Sequence, residues 1–358
     1  MITTADFCRP PKKGLINMLK KLTALILFFC VIMLLIPYCF CAFLKPVNPG
    51  ALPSVSNAFS NDAQNENEAV PASNSYCEPE TLKSYITDKN EVCEINFEDY
   101  IKGVVAAEMP AAFEKEALKA QAVAARSYIL SKMQSGTKHE NGADVCDNPS
   151  HCKAYLPPDK LKQKWGDEFD SFYAKICECC DETKNCVMLY DGKIVNALFH
   201  STSSGKTESA RDVWGGDVPY LVSVASFGDE LSPRYHSSTA MSINEFKQKL
   251  KSAYPDIYWK DGENLIGDAV RSEAGGIITM NIANITLSGS ELRNIFSLRS
   301  THIDFDITND TVTLNVTGNG HGVGMSQYGA NYLACQNKTF TEILKTYYSG
   351  VEVVRLNG

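Results

Sequence analysis

Glu108 is the residue of this sequence whose type and position most directly suggest chemistry. Asn96 can cap a helix, and Pro110 disfavours helical geometry at the residue before it, so this helix should end near Glu108. A second, alanine-rich helix is predicted over residues 114–133. A carboxylate among apolar neighbours at such a break has a raised pKa and can act as a general acid. A solvated surface glutamate is the alternative, because most glutamates are surface residues.

Two cations and a second carboxylate are candidate partners for this acid. Lys119 and Arg126 are seven positions apart and so share one face of the second predicted helix. They can orient Glu108 or bind anionic groups of a substrate; a solvated helix face is the alternative. Asp212 is the nearest candidate for a second acidic group.

A possible metal site follows the second predicted helix, in a polar loop over residues 136–155. The candidate ligands are His139, Cys146, His151 and Cys152. Two imidazoles and two thiolates match the ligands of a tetrahedral zinc site, and four protein ligands indicate a structural rather than a catalytic ion. A Cys146–Cys152 disulfide with two surface histidines is the open alternative. A second cluster (Cys177, Cys179, Cys180 and Cys186) is compatible with a metal site, local disulfides or free thiols.

Two stretches rich in glycine or hydroxyl groups can bind a sugar. At the end of a predicted strand, the candidate substrate-binding residues are His200, Ser201, Ser203 and Gly205. A serine nucleophile is conceivable there, but the G-x-S-x-G elbow is absent. Residues 319–330 depart from the dinucleotide fingerprint, because Met325 stands where its last glycine is due. In this second stretch the predicted substrate-binding residues are His321, Ser326, Gln327 and Tyr328. A plain tight turn is the alternative.

The elements that must position these residues mix helices and strands without a regular βαβ rhythm, which predicts an α+β fold. Helices are predicted over residues 160–180, 242–254, 290–296 and 341–348. Strands are predicted over 187–190, 194–200 and 277–287, with a hairpin formed by 302–307 and 311–316.

The charge and hydrophobic pattern of the whole chain indicate where the protein lies and what it can bind. Its 358 residues carry a net charge of −8, which gives no basic surface for nucleic acid. Residues 22–44 contain no charge and follow four lysines, which predicts a single transmembrane helix with residues 1–21 in the cytoplasm. A cleaved signal peptide is the alternative. Residues 45–75 read as a flexible linker, and 76–358 as an extracytoplasmic globular domain.

Six segments in this order resemble the stage II sporulation protein D family, from roughly residue 95 to the C-terminus. They are EDYIKGVVAAEMP, EALKAQAVAARSY, FHSTSSGKTES, W-x4-PYL, ELRNIFSLRS and GHGVGMSQYGA. The resemblance implies two α+β lobes flanking a substrate groove. It also implies a peptidoglycan lytic transglycosylase, acting in the engulfing mother-cell membrane during endospore formation. The implied partners are the glycan strands of peptidoglycan and stage II sporulation proteins P and M. The zinc-type loop looks like that of clostridial members.

In such an enzyme the resemblance places the catalytic acid on Glu108. It cleaves the bond between N-acetylmuramic acid and N-acetylglucosamine in strands stripped of stem peptides, and leaves 1,6-anhydro ends. Lys119 or Arg126 can then bind the lactyl carboxylate that peptide removal exposes. Two alternatives remain open: a non-enzymatic wall-binding amidase enhancer, and a zinc-dependent hydrolase that uses the His139–Cys152 cluster.

Overall fold

The computed structural model describes residues 76–136, 139, 141–149 and 151–357. The predicted transmembrane segment over 22–44, the tail before it and the linker after it lie outside these residues. Within the described part of the chain, no helix combines the length and apolar character needed to cross a membrane.

The described residues form a mixed set of helices and strands, as the sequence predicts. The helices are α1 (Phe97–Glu108), α2 (Lys115–Gln134), α3 (Pro158–Trp165), α4 (Phe169–Glu182), α5 (Ala210–Trp214), α6 (Ile243–Ala253), α7 (Gly289–Ile295), α8 (Gln327–Cys335) and α9 (Phe340–Tyr347). The strands are β1 (Thr81–Ile86), β2 (Glu91–Asn96), β3 (Val145–Cys146), β4 (Cys186–Tyr190), β5 (Lys193–Ile194), β6 (Phe199–His200), β7 (His236–Ser242), β8 (Ala269–Arg271), β9 (Ile277–Ile282), β10 (Ile285–Ser288), β11 (His302–Ile307), β12 (Thr311–Thr317), β13 (Met325–Ser326) and β14 (Glu352–Arg355).

Helices α1 and α2 begin and end where local chemistry requires. The side chain of Asn96 accepts a hydrogen bond of 3.2 Å from the backbone N–H of Asp99, which caps α1. Met109 is extended, with φ −116° and ψ 141°, because Pro110 follows it, so α1 ends at Glu108. The alanines of α2 are buried, and their small side chains let α1, α4, α8 and α9 pack closely around it.

Two sequence predictions are wrong in detail. The helix predicted over 160–180 is two helices, α3 and α4, because Gly166 adopts a φ of +54° between them. The single strand predicted over 194–200 is two short strands in different sheets. Strand β5 pairs with β4, whereas β6 pairs with β13. The hairpin of β11 and β12 is confirmed, and β7 extends it to three strands in the order β11-β12-β7.

The buried apolar side chains form two cores. The first surrounds α2 and includes the sheets β2-β1-β3 and β14-β4-β5. The second is built from the sheets β10-β9-β8 and β11-β12-β7 with α6 and α7, where Phe246 stacks on Phe296. Residues 318–322 lie between the cores: Gly320 donates a backbone hydrogen bond of 2.8 Å to the carbonyl of Arg299. Both candidate sugar-binding stretches are therefore held where the two cores meet.

Candidate functional site

Glu108 ends α1 with its carboxyl group largely buried. Its Oε1 accepts a hydrogen bond of 2.8 Å from the backbone N–H of Ala154. Burial raises the pKa of Glu108, and this effect outweighs the Ala154 hydrogen bond and the charges of Lys153 and Lys164, which favour the carboxylate. A carboxyl group in this setting can hold a proton and deliver it to a bound ligand.

Two lysines beside Glu108 were not predicted from the sequence. Lys153 is 7% exposed, and its Nζ lies 3.8 Å from the ring centroid of Phe199 and 4.5 Å from that of Tyr128. Burial lowers the pKa of Lys153 to about 8. Lys164 donates to the carbonyl of Ala106 at 3.3 Å. The only sequence signal for Lys153 is its position directly after Cys152.

Parallel pairing of β6 with β13 brings the two predicted sugar-binding stretches together, with His200 opposite Ser326. The backbone of Val323 fixes both histidines. His200 Nδ1 donates to the Val323 carbonyl at 3.2 Å, and the Val323 N–H donates to His321 Nδ1 at 3.1 Å. Because a carbonyl only accepts and an N–H only donates, the neutral imidazoles have opposite tautomers.

The two imidazoles are neutral near pH 7. Their ring centroids are 5.7 Å apart, and burial lowers the pKa of His200 to about 4 and that of His321 well below its ordinary value. Within the described residues, His200 Nε2 is buried without a hydrogen-bond partner. In its tautomer this atom carries a lone pair rather than a proton.

The short helix α5 presents an exposed aromatic ring beside this pair. The ring centroid of Trp214 lies 5.3 Å from that of His321, and the side chain is 53% exposed. Asp212, the predicted second carboxylate, lies in the first turn of α5 and accepts from the Ser209 hydroxyl at 2.8 Å. An open aromatic face next to buried polar groups is suited to a ligand with both apolar and hydroxyl surfaces.

Asp229, which sequence reasoning missed, organises the hydroxyl groups. Its carboxylate is buried and accepts from the backbone N–H and the hydroxyl of Ser203, and from the hydroxyls of Ser226 and Ser326. The amide of Gln327 is also buried and lies 3.4 Å from Gln121 Oε1. The predicted sugar contacts of Ser203, Ser326 and Gln327 do not fit these positions, because internal hydrogen bonds use their polar groups.

The remaining residues of the two stretches lie nearer the surface. Ser201 is half-buried, and its carbonyl accepts from the backbone N–H of Tyr328 at 3.2 Å. The ring of Tyr328 packs edge-on against Phe113, at 5.0 Å between centroids. Gly205 has a φ of +103° and accepts from the Ser226 N–H with its carbonyl.

Arg126 and Lys119 do not lie with these groups. The guanidinium of Arg126 is fully buried and forms ion pairs with Glu98, at 3.0 Å, and with Glu78, at 2.8 Å. Lys119 forms ion pairs with Glu116, at 2.8 Å, and with Glu182. A fully buried guanidinium with two carboxylate partners is not placed to bind a substrate, so the predicted role of Arg126 is not supported. The predicted role of Lys119 is not supported, because its charge is already matched.

The four predicted metal ligands are brought together. Ligand atoms of His139, Cys146 and His151 all lie within 4.8 Å of one another, and Cys152 Sγ is 3.2 Å from His151 Nδ1. Cys146 and Cys152 are free thiols, so the alternative disulfide is not formed. His139 Nδ1 is buried and has no hydrogen-bond partner among the described residues. An orphaned imidazole nitrogen beside two thiols fits a tetrahedral zinc ion.

The other cysteine cluster does not form a comparable centre. Cys177, Cys179, Cys180 and Cys186 are all free thiols. Within the described residues, the ligand atoms of these cysteines are not gathered into a group that could hold a metal ion. Burial raises the pKa of Cys179 to about 11, so this thiol stays protonated and behaves as a small apolar core residue.

Comparison with known proteins places this arrangement in context. The family model described as "Stage II sporulation protein" matches residues 85–190. The chain is 37% identical to stage II sporulation protein D of Bacillus amyloliquefaciens over 278 residues, which is 77% of this chain and 79% of that protein. It is 36% identical to the protein of the same name from Bacillus subtilis (strain 168) over 277 residues, with the same coverage. An amidase enhancer of Bacillus subtilis (strain 168) is 29% identical over 302 residues, covering 70% of this chain and 39% of that protein.

Proposed function

The chain belongs to the stage II sporulation protein D family, and from this membership and the setting of Glu108 we propose that it is a peptidoglycan lytic transglycosylase. The observation that carries the proposal is the largely buried carboxyl group of Glu108, whose pKa is raised by burial and whose Oε1 accepts a hydrogen bond from the Ala154 amide. The substrate is the bond between N-acetylmuramic acid and N-acetylglucosamine in glycan strands without stem peptides.

One carboxyl group suffices for this reaction. Glu108 donates its proton to the glycosidic oxygen, the bond from that oxygen to C1 of N-acetylmuramic acid breaks, and N-acetylglucosamine leaves with a free hydroxyl. The Glu108 carboxylate then takes the proton of the C6 hydroxyl of the same muramic acid. Oxygen O6 bonds to C1 and closes the 1,6-anhydro ring. Water is not consumed, and Glu108 returns to its protonated form.

The exposed ring of Trp214 supports the apolar face of a sugar. Its centroid lies 5.3 Å from that of His321, and the backbone of Gly320 beside His321 is bonded to the second core through Arg299. This junction of the two cores forms the walls of the proposed groove.

The proposed zinc ion is structural. His139, Cys146, His151 and Cys152 would hold it, and when bound it would cross-link residues 139–152 through four protein ligands. The chain continues from Cys152 to Lys153 and Ala154, so a fixed Cys152 fixes two of the groups that act on Glu108. A zinc hydrolase is disfavoured because four protein ligands leave no open coordination position.

We place the enzyme outside the cytoplasm of the sporulating cell, anchored by the uncharged segment over residues 22–44. Its proposed partners are stage II sporulation proteins P and M. Its role in this setting is to open the wall during engulfment.

A second function is a non-enzymatic amidase enhancer. The observation in its favour is the 29% identity to a Bacillus subtilis protein of that name, although this chain covers only 39% of that protein. It predicts that the protein binds purified wall without creating new ends.

Mass spectrometry of denuded glycan distinguishes these functions. Wild type should release strands ending in 1,6-anhydro-N-acetylmuramic acid, and Glu108→Gln should release none. Glu182→Gln removes a carboxylate at the end of another helix that is exposed and paired with Lys119, so it is the matched control and should cleave normally. Products heavier by one water would indicate hydrolysis, and binding without products would support the amidase enhancer.

A further inference from the structure

We propose that Arg293 binds the lactyl carboxylate of N-acetylmuramic acid, and that this contact selects strands whose stem peptides have been removed. The inference rests on the proposed function, because it assigns a substrate group to the same site. It gives the role predicted for Lys119 and Arg126 to a residue of the second core.

Arg293 has hydrogen-bond donors to spare. It lies in α7 and is half-buried, and its Nε donates to the carbonyl of Leu298 at 3.2 Å. No carboxylate in the described part of the chain lies within 4.0 Å of its guanidinium. A guanidinium has five N–H groups in a planar fork that matches a carboxylate. The two terminal nitrogens are therefore available to a ligand.

This guanidinium lies near enough to the imidazole pair for its charge to act on both rings. Its charge lowers the pKa of both His200 and His321, as the charge of Lys153 also does. Leu298, which accepts the hydrogen bond from Arg293 Nε, is followed by Arg299. The carbonyl of Arg299 accepts a hydrogen bond from the backbone N–H of Gly320, the residue before His321. These hydrogen bonds connect Arg293 to the glycine-containing stretch at the junction of the cores.

The electrostatic setting favours an anion at this point. Asp229 is the carboxylate that acts on His200, but three serine hydroxyls already bind it. A half-buried cation without a counter-charge loses hydration that nothing replaces. Burial accordingly lowers the pKa of Arg293, and no neighbouring carboxylate opposes the effect. A ligand carboxylate would supply the missing partner.

Three other cations differ from Arg293 in that each forms an ion pair with at least one carboxylate. Arg126 is held by Glu98 and Glu78, and Lys119 by Glu116 and Glu182. Arg271, in the same core as Arg293, pairs with Asp304 at 3.2 Å.

The lactyl group explains why such a cation would select stripped strands. In intact peptidoglycan this carboxyl group forms an amide bond with the stem peptide and carries no charge. Hydrolysis of that amide frees a carboxylate, which Arg293 can bind through two parallel hydrogen bonds. The reaction that must precede this enzyme is therefore an amide hydrolysis.

The test measures binding without turnover. In the full chain carrying Glu108→Gln, the dissociation constants of Arg293→Gln and Arg293→Lys are compared on denuded glycan and on chitin oligosaccharides of equal length, which lack the lactyl group. Arg293→Gln should weaken binding of denuded glycan about tenfold and leave chitin binding within about twofold. Arg293→Lys should lose part of the preference, since it keeps the charge but not the fork. Arg271→Gln is the matched control and should change neither.

Equal loss on both ligands, or no loss on either, overturns the inference. Retained chitin binding shows that each variant is folded. If Arg293→Gln does not fold, Arg293→Lys decides, and an unchanged preference in it counts against the proposal. Because binding is measured apart from cleavage, a wild type that prefers denuded glycan but makes no anhydro product would contradict the proposed function alone.

Discussion

The backbone N–H of Ala154 donates a hydrogen bond of 2.8 Å to Oε1 of Glu108. Ala154 stands two positions after Cys152, one of the four candidate metal ligands. The loop that gathers those ligands is therefore the same loop that holds the proposed catalytic acid. Four predictions test this arrangement and the residues around it.

Metal removal should affect stability and activity together. Chelation, or Cys146→Ser, should lower the midpoint of thermal unfolding by about 10 °C or more, because a closed four-ligand site contributes directly to folding. Cleavage of denuded glycan should be lost in parallel. Cys93→Ser, which changes a free thiol outside the cluster, is the control and should change neither. Loss of cleavage with an unchanged midpoint would instead indicate a catalytic ion.

The pH dependence of kcat/KM for cleavage should change when the charge of Lys153 is removed. Glu108 must start protonated, so cleavage is expected below its raised pKa and should fall as the pH rises through it. Lys153 favours the carboxylate, so Lys153→Met should raise the pKa of Glu108 further and move the alkaline limb of kcat/KM upward by about half to one pH unit. Lys164→Met should move it less, and Lys193→Met, on the surface, not at all. A limb that stays fixed or moves downward would contradict this.

Arg126 should be essential to the fold. Arg126→Met leaves the largely buried carboxylates of Glu98 and Glu78 without their guanidinium partner, which should destabilise the protein by about 3–5 kcal/mol in denaturant unfolding. Lys119→Met should cost much less, because its partner Glu182 is exposed, and should still cleave denuded glycan. If folded Lys119→Met lost cleavage, the original substrate-binding prediction for Lys119 would be restored.

Trp214 should contribute to strand binding and little to the chemical step. Trp214→Ala should raise KM about tenfold with kcat largely kept, since the ring supports a sugar and does not touch the scissile bond. Trp214→Phe should recover part of the loss. Tyr258→Ala removes a surface ring of nearly equal exposure, at 54% against 53%, and should leave KM unchanged. A fall in kcat alone would contradict the assignment.

The helix boundaries and the metal loop could be predicted because their causes are local. Asn96 and Pro110 act on neighbouring backbone groups, so α1 begins and ends where the sequence indicates. The four candidate metal ligands lie between residues 139 and 152, so one loop can gather them without any distant segment. The order of the family segments indicated Glu108 as the candidate acid, and that role stays a prediction.

The partner of each charge was decided only by the tertiary structure. Arg126, Arg293 and Lys153 are all cations, and the sequence does not distinguish them. Packing surrounds Arg126 with two carboxylates, sets Lys153 between two aromatic rings beside Glu108, and leaves Arg293 without a counter-ion among the described residues. Asp229 was missed for the same reason, since its three serine partners come from separate segments. Local sequence determines where a helix ends, but the strength and availability of a charge depend on burial and on neighbours that are distant in the chain.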